Sequence, residues 1–262
     1  MNNKAYVLTK TKITSGLQCE KKLWFDFHDP EKIEETSTLF AGNRFGEIIR
    51  QYYGEGLDLS NLSSSENIVE QTAKAIQSKD VHIIYEAAFI YKETLVRTDV
   101  LRRKKNGWEI LEAKSSKELK ESHIPDVAIQ SFIVKAGGLN VTGIKLLHVN
   151  NDFVYQGDDN YKDLIKEVDI INEVEEKEKD VENYINQFRS LEKKETACPK
   201  VDIGDHCKKP YPCIYFSRCA SKSSKENFVS YKILPNIGRK KNTKKFIKKN
   251  NIKNIQDIPE NL

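Results

Sequence analysis

Residues 96–116 read V-R-T-D-V-L-R-R-K-K-N-G-W-E-I-L-E-A-K-S-S, and the fold turns on how they pair. Two apolar-rich runs, Thr94 to Leu101 and Gly107 to Lys114, are separated by the polar tip around Lys104, Lys105 and Asn106. Asn-Gly is the strongest short hairpin signal, because a type I′ turn needs φ > 0 at both central residues. With Asn106 and Gly107 central, Asp99 lies opposite Lys114 and Leu101 opposite Glu112. Side chains alternate faces along a strand, so Trp108, Ile110, Glu112 and Lys114 share one face, and Asp99 joins them. Directly opposite Cβ atoms stand roughly 5 Å apart and diagonal ones roughly 7–8 Å. One hairpin therefore gathers two carboxylates and an ammonium.

Two carboxylates this close repel each other unless a cation lies between them. A hard divalent ion such as Mg²⁺ accepts one or two carboxylates and keeps several waters. With Lys114 alongside to orient an attacking water, the set is equipped for metal-assisted phosphodiester hydrolysis. The bland alternative is a surface salt bridge of Lys114 with Asp99 or Glu112, because three-residue motifs often match by chance.

The chain has 262 residues, 38% hydrophobic and 31% charged, enough for one domain of ordinary size with appendages. It contains no apolar run of membrane-spanning length, and Met1 to Lys10 lacks the apolar core of a signal peptide. A cytoplasmic location without membrane contact is the expectation. The net charge of +4 is too small to argue for a nucleic-acid partner by itself.

Leu8 to Phe27 reads as a helix capped by Thr9 or Thr11, and Thr36 to Tyr53 as a second with one apolar side. Glu66 to Gln77 looks helical, and Val81 to Tyr91 is a strand leading into the hairpin. Pro125 to Ala136 is a helix stopped by Gly137 and Gly138, followed by a strand over Thr142 to Val149 that turns into Phe153 to Gln156. Tyr161 to Leu191 reads as one long acidic helix. Strand, hairpin, helix, strand is an α/β arrangement with a mixed central sheet flanked by helices.

A reducing compartment disfavours disulfides among the five cysteines, and grouped ones are candidates for metal or cluster ligation. Cys207, Cys213 and Cys219 are spaced by five residues each, with Pro210 and Pro212 breaking regular structure between them. That loop needs an external constraint. The spacing lacks the close pairs usual in structural zinc sites. Iron–sulfur clusters take four thiolates, so a fourth ligand would come from elsewhere. Zinc held by the three cysteines with Cys19 or His206 is the rival, and unrelated buried cysteines are the plain alternative.

Asp99 followed by Glu112-Ala113-Lys114 resembles the D…E-x-K core of the PD-(D/E)XK nuclease superfamily. The wider pattern is similar to the RecB-type branch, which includes the AddB nuclease domain and the iron–sulfur nuclease of CRISPR adaptation modules. Gln130 matches the glutamine of that branch's Q-x-x-x-Y motif. The opening L-T-K-T-K-I-T-S-G-L-Q-C-E-K-K-L-W and the later G-D-H-C-K-K-P-Y-P-C resemble a bacterial family carrying this module at its N-terminus. The resemblance covers roughly Leu8 to Cys219. It implies a restriction-endonuclease-like sheet, with Asp99, Glu112 and the Ala113 carbonyl holding Mg²⁺ or Mn²⁺. Lys114 would position the attacking water and Gln130 the substrate. It also implies a 4Fe-4S cluster on Cys19, Cys207, Cys213 and Cys219, clamping a helical and loop periphery, with Cys198 left over. The implied substrate is DNA, single-stranded and degraded from an end.

Two departures stand out. The tyrosine slot holds Val134. The early-helix G-x-x-x-H, whose histidine is a metal ligand in RecB-type nucleases, reads Gly42-x-x-x-Gly46 here. Glu47, next in the chain, and Glu86, on the strand before the hairpin, are the substitute carboxylates. Lys21, Lys22 and Arg97, with Arg102, Arg103, Lys104 and Lys105, are candidates for a phosphate-backbone path, although charge runs are usually solvated surface. Residues 1–222 read as the nuclease-like domain. Residues 223–262 form a basic extension that in the resembling family leads into a further domain. Against the enzyme stand a catalytically degenerate nucleic-acid-binding subunit with a structural cluster and a metal-pinned interaction module.

Overall fold

The computed structural model describes residues 8–32, 37–62, 64–157, 160–224, 241–252, 254–255 and 258–259. The chain forms two compact units. One comprises Met1–Thr14 and Lys32–Ser190, and the other Ser15–Glu31 and Leu191–Leu262.

The first unit is built on a mixed seven-stranded sheet flanked by helices. Its strands are β1 (Leu8–Thr9), β2 (Leu57–Asp58), β3 (Ile83–Tyr91), β4 (Thr94–Lys104), β5 (Gly107–Lys114), β6 (Val141–Val149) and β7 (Ile165–Asp169). The order is β2-β3-β4-β5-β6-β7, with β1 pairing parallel to β4 off this path. Two tight turns make β3, β4 and β5 antiparallel neighbours, whereas β5 and β6 run parallel across the helix Ile124–Ala136. A parallel pair needs such a crossover. One face of the sheet buries Tyr85, Val100, Leu111 and Leu147 against Phe45 and Ile49 of the helix Ser37–Tyr53. The crossover helix packs on β3, β4 and β6 and buries Val127, Ile129, Ile133 and Val134.

The hairpin register differs from the sequence expectation. Lys104 pairs with Gly107, so Lys105 and Asn106 form the turn, and neither has the positive φ of a type I′ turn. The register has moved by two residues, an even number, so every side chain keeps its expected face. Gly107 is glycine for another reason. A Cβ there would lie 2.5 Å from the Asn140 carbonyl oxygen. That carbonyl accepts the Trp108 amide, and the Asn140 side chain donates to the Asn106 carbonyl at 2.6 Å. The β3–β4 turn is the one with left-handed backbone at both central residues, Lys92 (φ 43°) and Glu93 (φ 55°).

The expected helix over Tyr161 to Leu191 is divided into β7, the helices Ile171–Glu178 and Val181–Arg189, and a 3₁₀ turn at Ser190–Glu192. β6 offered an unpaired edge, and β7 covers it in antiparallel register from Lys145↔Asp169 to Val149↔Ile165. Asp169 Oδ1 then accepts the Ile171 amide and starts the next helix. Phe153 to Gln156 is not a strand. The opening helix is also divided, into Lys10–Gln18 and Glu20–His28, with Cys19 in extended backbone (φ −169°) between them. Of the basic stretch from Arg239 to Lys253, Lys241–Lys249 is helical, while Arg239, Lys240 and Lys253 lie outside the described residues, as does much of the 223–262 extension.

A polar network closes the β5–β7 side of the sheet. Arg102 donates to Glu109 at 2.5 and 2.8 Å and to Glu167 at 3.1 and 3.2 Å. Lys145 and Tyr53 each reach Glu167 at 2.7 Å. Burial alone would raise the Glu167 pKa, but the hydrogen bonds from Arg102, Lys145 and Tyr53 outweigh it and hold the group at about 2. A depressed carboxyl contributes stability above its unfolded pKa and loses that contribution as pH falls through the folded value. Glu167→Gln should therefore lower neutral-pH stability by about 1 kcal/mol, discounted for partial exposure. The gap to wild type should close as pH falls from about 4.5 to about 2. Denaturant melts across pH check this, and a gap that widens in acid contradicts it.

Candidate active site

Asp99, Glu112 and Lys114 meet on the face covered by the crossover helix. The β4–β5 ladder ends at Val100↔Leu111, and one step further along that register Asp99 stands opposite Glu112. There the Asp99 carboxylate replaces the ladder, Oδ2 accepting the Ala113 amide at 2.7 Å. Glu112 is 1% exposed. Lys114 Nζ donates to Glu112 Oε1 at 2.8 Å and to Asp126 of the crossover helix. Lys10, the first residue of the helix after β1, donates to that same Oε1 at 2.8 Å and lies 3.8 Å from Asp126. Glu112 Oε2 is buried and has no hydrogen-bond partner in the described structure.

The electrostatics follow from this crowding. Burial raises the Asp99 pKa, and the Glu112 charge raises it further. Burial acts in the same direction on Glu112, but Lys10 and Lys114 outweigh it and hold its carboxyl well below the usual range. Glu86 falls opposite Asp99 between the pairs Tyr85↔Val100 and Ala87↔Thr98, with left-handed backbone at φ 58°. Such a backbone costs a non-glycine residue roughly 1–3 kcal/mol and is often found at functional sites. Glu86, Asp99, Lys10, Arg97, Thr9 and Ser65 line one cavity of about 480 Å³.

The structure brings some candidate residues here and leaves others elsewhere. Of the two substitute carboxylates, Glu86 is at the site. Glu47 is exposed and paired with Arg44 at 2.7 Å. Gln130 is fully buried, and its Nε2 donates to the Arg97 carbonyl at 2.5 Å, fixing β4 beside Asp99. Its Oε1 is buried without a partner. Ala113 enters through its amide. Arg97 lines the cavity. Arg102 belongs to the Glu109–Glu167 network, and Arg103 stacks on Trp108 (4.1 Å) while donating to the Val81, Ile76 and Ser78 carbonyls. Lys10 was missed by the sequence reading, because only the β1–β4 pairing Leu8↔Thr94 carries it to Glu112.

Among the described residues, no group of three or more His, Cys, Asp or Glu side chains is arranged to hold a metal ion. Two facts nevertheless fit a hard cation. The donors at the hairpin are carboxylate oxygens, one of them buried and unpartnered. Mg²⁺ is also typically bound through one or two carboxylates plus water and substrate phosphate.

In the second unit, Cys19, Cys207, Cys213 and Cys219 line one cavity with His206 and Tyr215. Cys198 does not line it, although it lies near enough for its charge to act on Cys219. Burial raises the Cys213 and Cys219 pKa values. Four thiols match a thiolate-ligated group in kind and number. The loop carrying three of them is held by Gln18, whose Nε2 donates to the carbonyls of His206 at 2.8 Å and Tyr211 at 2.7 Å. Lys22 donates to Gln18 Oε1 at 2.7 Å and Lys21 to the Val201 carbonyl at 3.3 Å. Lys21 and Lys22, the two lysines expected to meet a phosphate backbone, each make a hydrogen bond within the second unit.

The chain matches no protein-family model and no curated protein. A solved structure described as "Crystal structure of SSO0001" aligns with 82% of this chain and 86% of its own at 14% identity, with a TM-score of 0.35. So loose a likeness carries no argument about function.

Gln18→Ala should leave the His206, Lys209 and Tyr211 carbonyls without their donor and lower stability by about 1 kcal/mol. A melting curve superimposable on wild type would show that the loop does not depend on Gln18.

Proposed function

We propose that the first unit is a metal-dependent deoxyribonuclease with a restriction-endonuclease-like core of the PD-(D/E)XK type, acting on single-stranded DNA from an end, in repair, recombination or defence. The observation that carries this reading is the convergence of Asp99, Glu112 and Lys114, with Glu112 Oε2 buried and unsatisfied. Asp99, Glu112 and, as a substitute for the missing histidine, Glu86 would hold Mg²⁺ or Mn²⁺. A divalent cation there would polarise the scissile phosphodiester and offset the charge that builds up on it. Lys114, fixed between Glu112 and Asp126, presents a positioned ammonium to the attacking water and to the developing charge. Gln130 holds the Arg97 backbone and with it the wall of the cavity. In the second unit, we propose that Cys19, Cys207, Cys213 and Cys219 ligate a 4Fe-4S cluster that fixes the cysteine loop.

The rival is a catalytically degenerate nucleic-acid-binding subunit. It is favoured by Gly46, which leaves the histidine slot without a side chain, and by Glu47 turning to Arg44.

Lys114→Ala should slow Mn²⁺-dependent degradation of labelled single-stranded DNA by at least roughly 100-fold, the scale of losing one positioned charge stabiliser. Its melting temperature should stay within a few degrees of wild type, because Lys10 still pairs Glu112 and Asp126. Wild-type protein that binds the DNA but never cleaves it, with either Mn²⁺ or Mg²⁺, would favour the degenerate subunit. For the cluster, anaerobically purified protein should be brown, and serine at Cys19 or Cys213 should bleach it. Colourless protein with one equivalent of zinc contradicts the cluster.

A further inference from the structure

The site holds two lysines where the D…E-x-K pattern needs one. Lys10 and Lys114 both donate to Glu112 Oε1 at 2.8 Å, and both lie near Asp126 Oδ2. Their situations differ. Lys114 extends from the sheet itself and is fixed between the two carboxylates. Lys10 is reached from a different segment, at the end of the short strand β1, and its side chain lies at the wall of the cavity shared with Thr9, Ser65, Arg97 and Asp99. If Lys10 turned away, Glu112 and Asp126 would each still be paired with Lys114. The ammonium of Lys10 can therefore leave while Lys114 still pairs both carboxylates.

The cavity is lined by two cations, Lys10 and Arg97, and by the carboxylates of Glu86 and Asp99, with Thr9, Thr11 and Ser65 beside them. A phosphate in it would be met by the two cations, and a divalent ion on the carboxylates would offset their repulsion. Its volume of about 480 Å³ lies in the range of small-ligand sites. Lysine is a compact, flexible charge that can exchange one oxyanion for another.

We propose that Lys10 is a substrate-positioning residue, which exchanges Glu112 for a phosphate of the bound strand in this cavity. Building on the nuclease reading, the proposal assigns the residue that places the phosphodiester beside the Asp99–Glu112 pair. In this arrangement Lys114 serves the chemistry and Lys10 serves register. The signature is a lost phosphate contact, which a purely structural lysine would not produce.

The test is fluorescence anisotropy of a labelled single-stranded oligonucleotide, in EDTA, across a salt series, with wild type, K10M, K10Q and K10R, each checked by thermal melting. Each phosphate contact contributes a slope of roughly 0.7 to log K against log salt for single strands. K10M and K10Q should both reduce the slope by about that amount and weaken binding about tenfold, as expected for losing a hydrogen bond to a charged group. K10R should restore both. In Mn²⁺, K10M should raise KM far more than it lowers kcat. A K10M protein, or K10Q if K10M does not fold, with wild-type slope and affinity overturns the proposal while leaving the nuclease reading intact. A loss of kcat at unchanged slope does the same. Wild-type protein that binds no oligonucleotide overturns the nuclease reading, and Lys10's role with it.

Discussion

A carboxylate at 1% exposure, with one oxygen taking two ammonium groups and the other taking none, is the constraint around which the first unit is arranged. A buried charge is tolerated only when paired, and breaking such a pair typically costs several kcal/mol. Glu112 meets this demand with residues from three directions. Lys114 comes from its own strand, Lys10 from the end of β1, and Asp126 of the crossover helix shares both lysines. The parallel β1–β4 pairing brings Lys10 to the carboxylate, and the helix over the sheet brings Asp126, which pairs with both lysines. Asp99, beside it, has an amide from Ala113 and a raised pKa. Such a pair of carboxylates in unequal environments is more typical of a functional site than of a structural ion pair.

Much of this was legible in the sequence because it depends on parity. The hairpin slipped by two residues from the register that Asn106-Gly107 suggested, and Asp99, Glu112 and Lys114 still share a face. The local signal was misread because glycine has two uses. Gly107 makes room for the Asn140 carbonyl, and the left-handed turn falls at Lys92 and Glu93 instead. The helix over 37–53 was legible from its apolar side, and the helix over 124–136 from the Gly137-Gly138 stop. β7 was not, because Ile165 and Val168 fit a helical stripe as well as a strand, and what selected the strand was the open edge of β6, a tertiary fact.

Long-range partners were the other hidden class. Nothing local marks Lys10 as a partner of Glu112, or Gln18 as a brace for a loop at His206 to Tyr211. Glu47 and Glu86 looked equivalent as substitute carboxylates, yet strand register carries Glu86 to Asp99 while Glu47 stays exposed with Arg44. The cysteines divide in the same way. The family resemblance pointed to Cys19 with the three later ones, and all four line one cavity within one unit, where the chain breaks its opening helix at Cys19 itself.

The central claim is that Asp99 and Glu112 form a cation site completed by the unpartnered Glu112 oxygen. Its most direct test is a crystal of the protein soaked in Mn²⁺, with anomalous scattering used to locate the metal. The account predicts a peak between the Asp99 carboxylate and Glu112 Oε2, at the roughly 2.0–2.6 Å oxygen distances of hard divalent ions. An anomalous map with no peak there, and Lys10 and Lys114 still closed on Glu112 at saturating Mn²⁺, would contradict it.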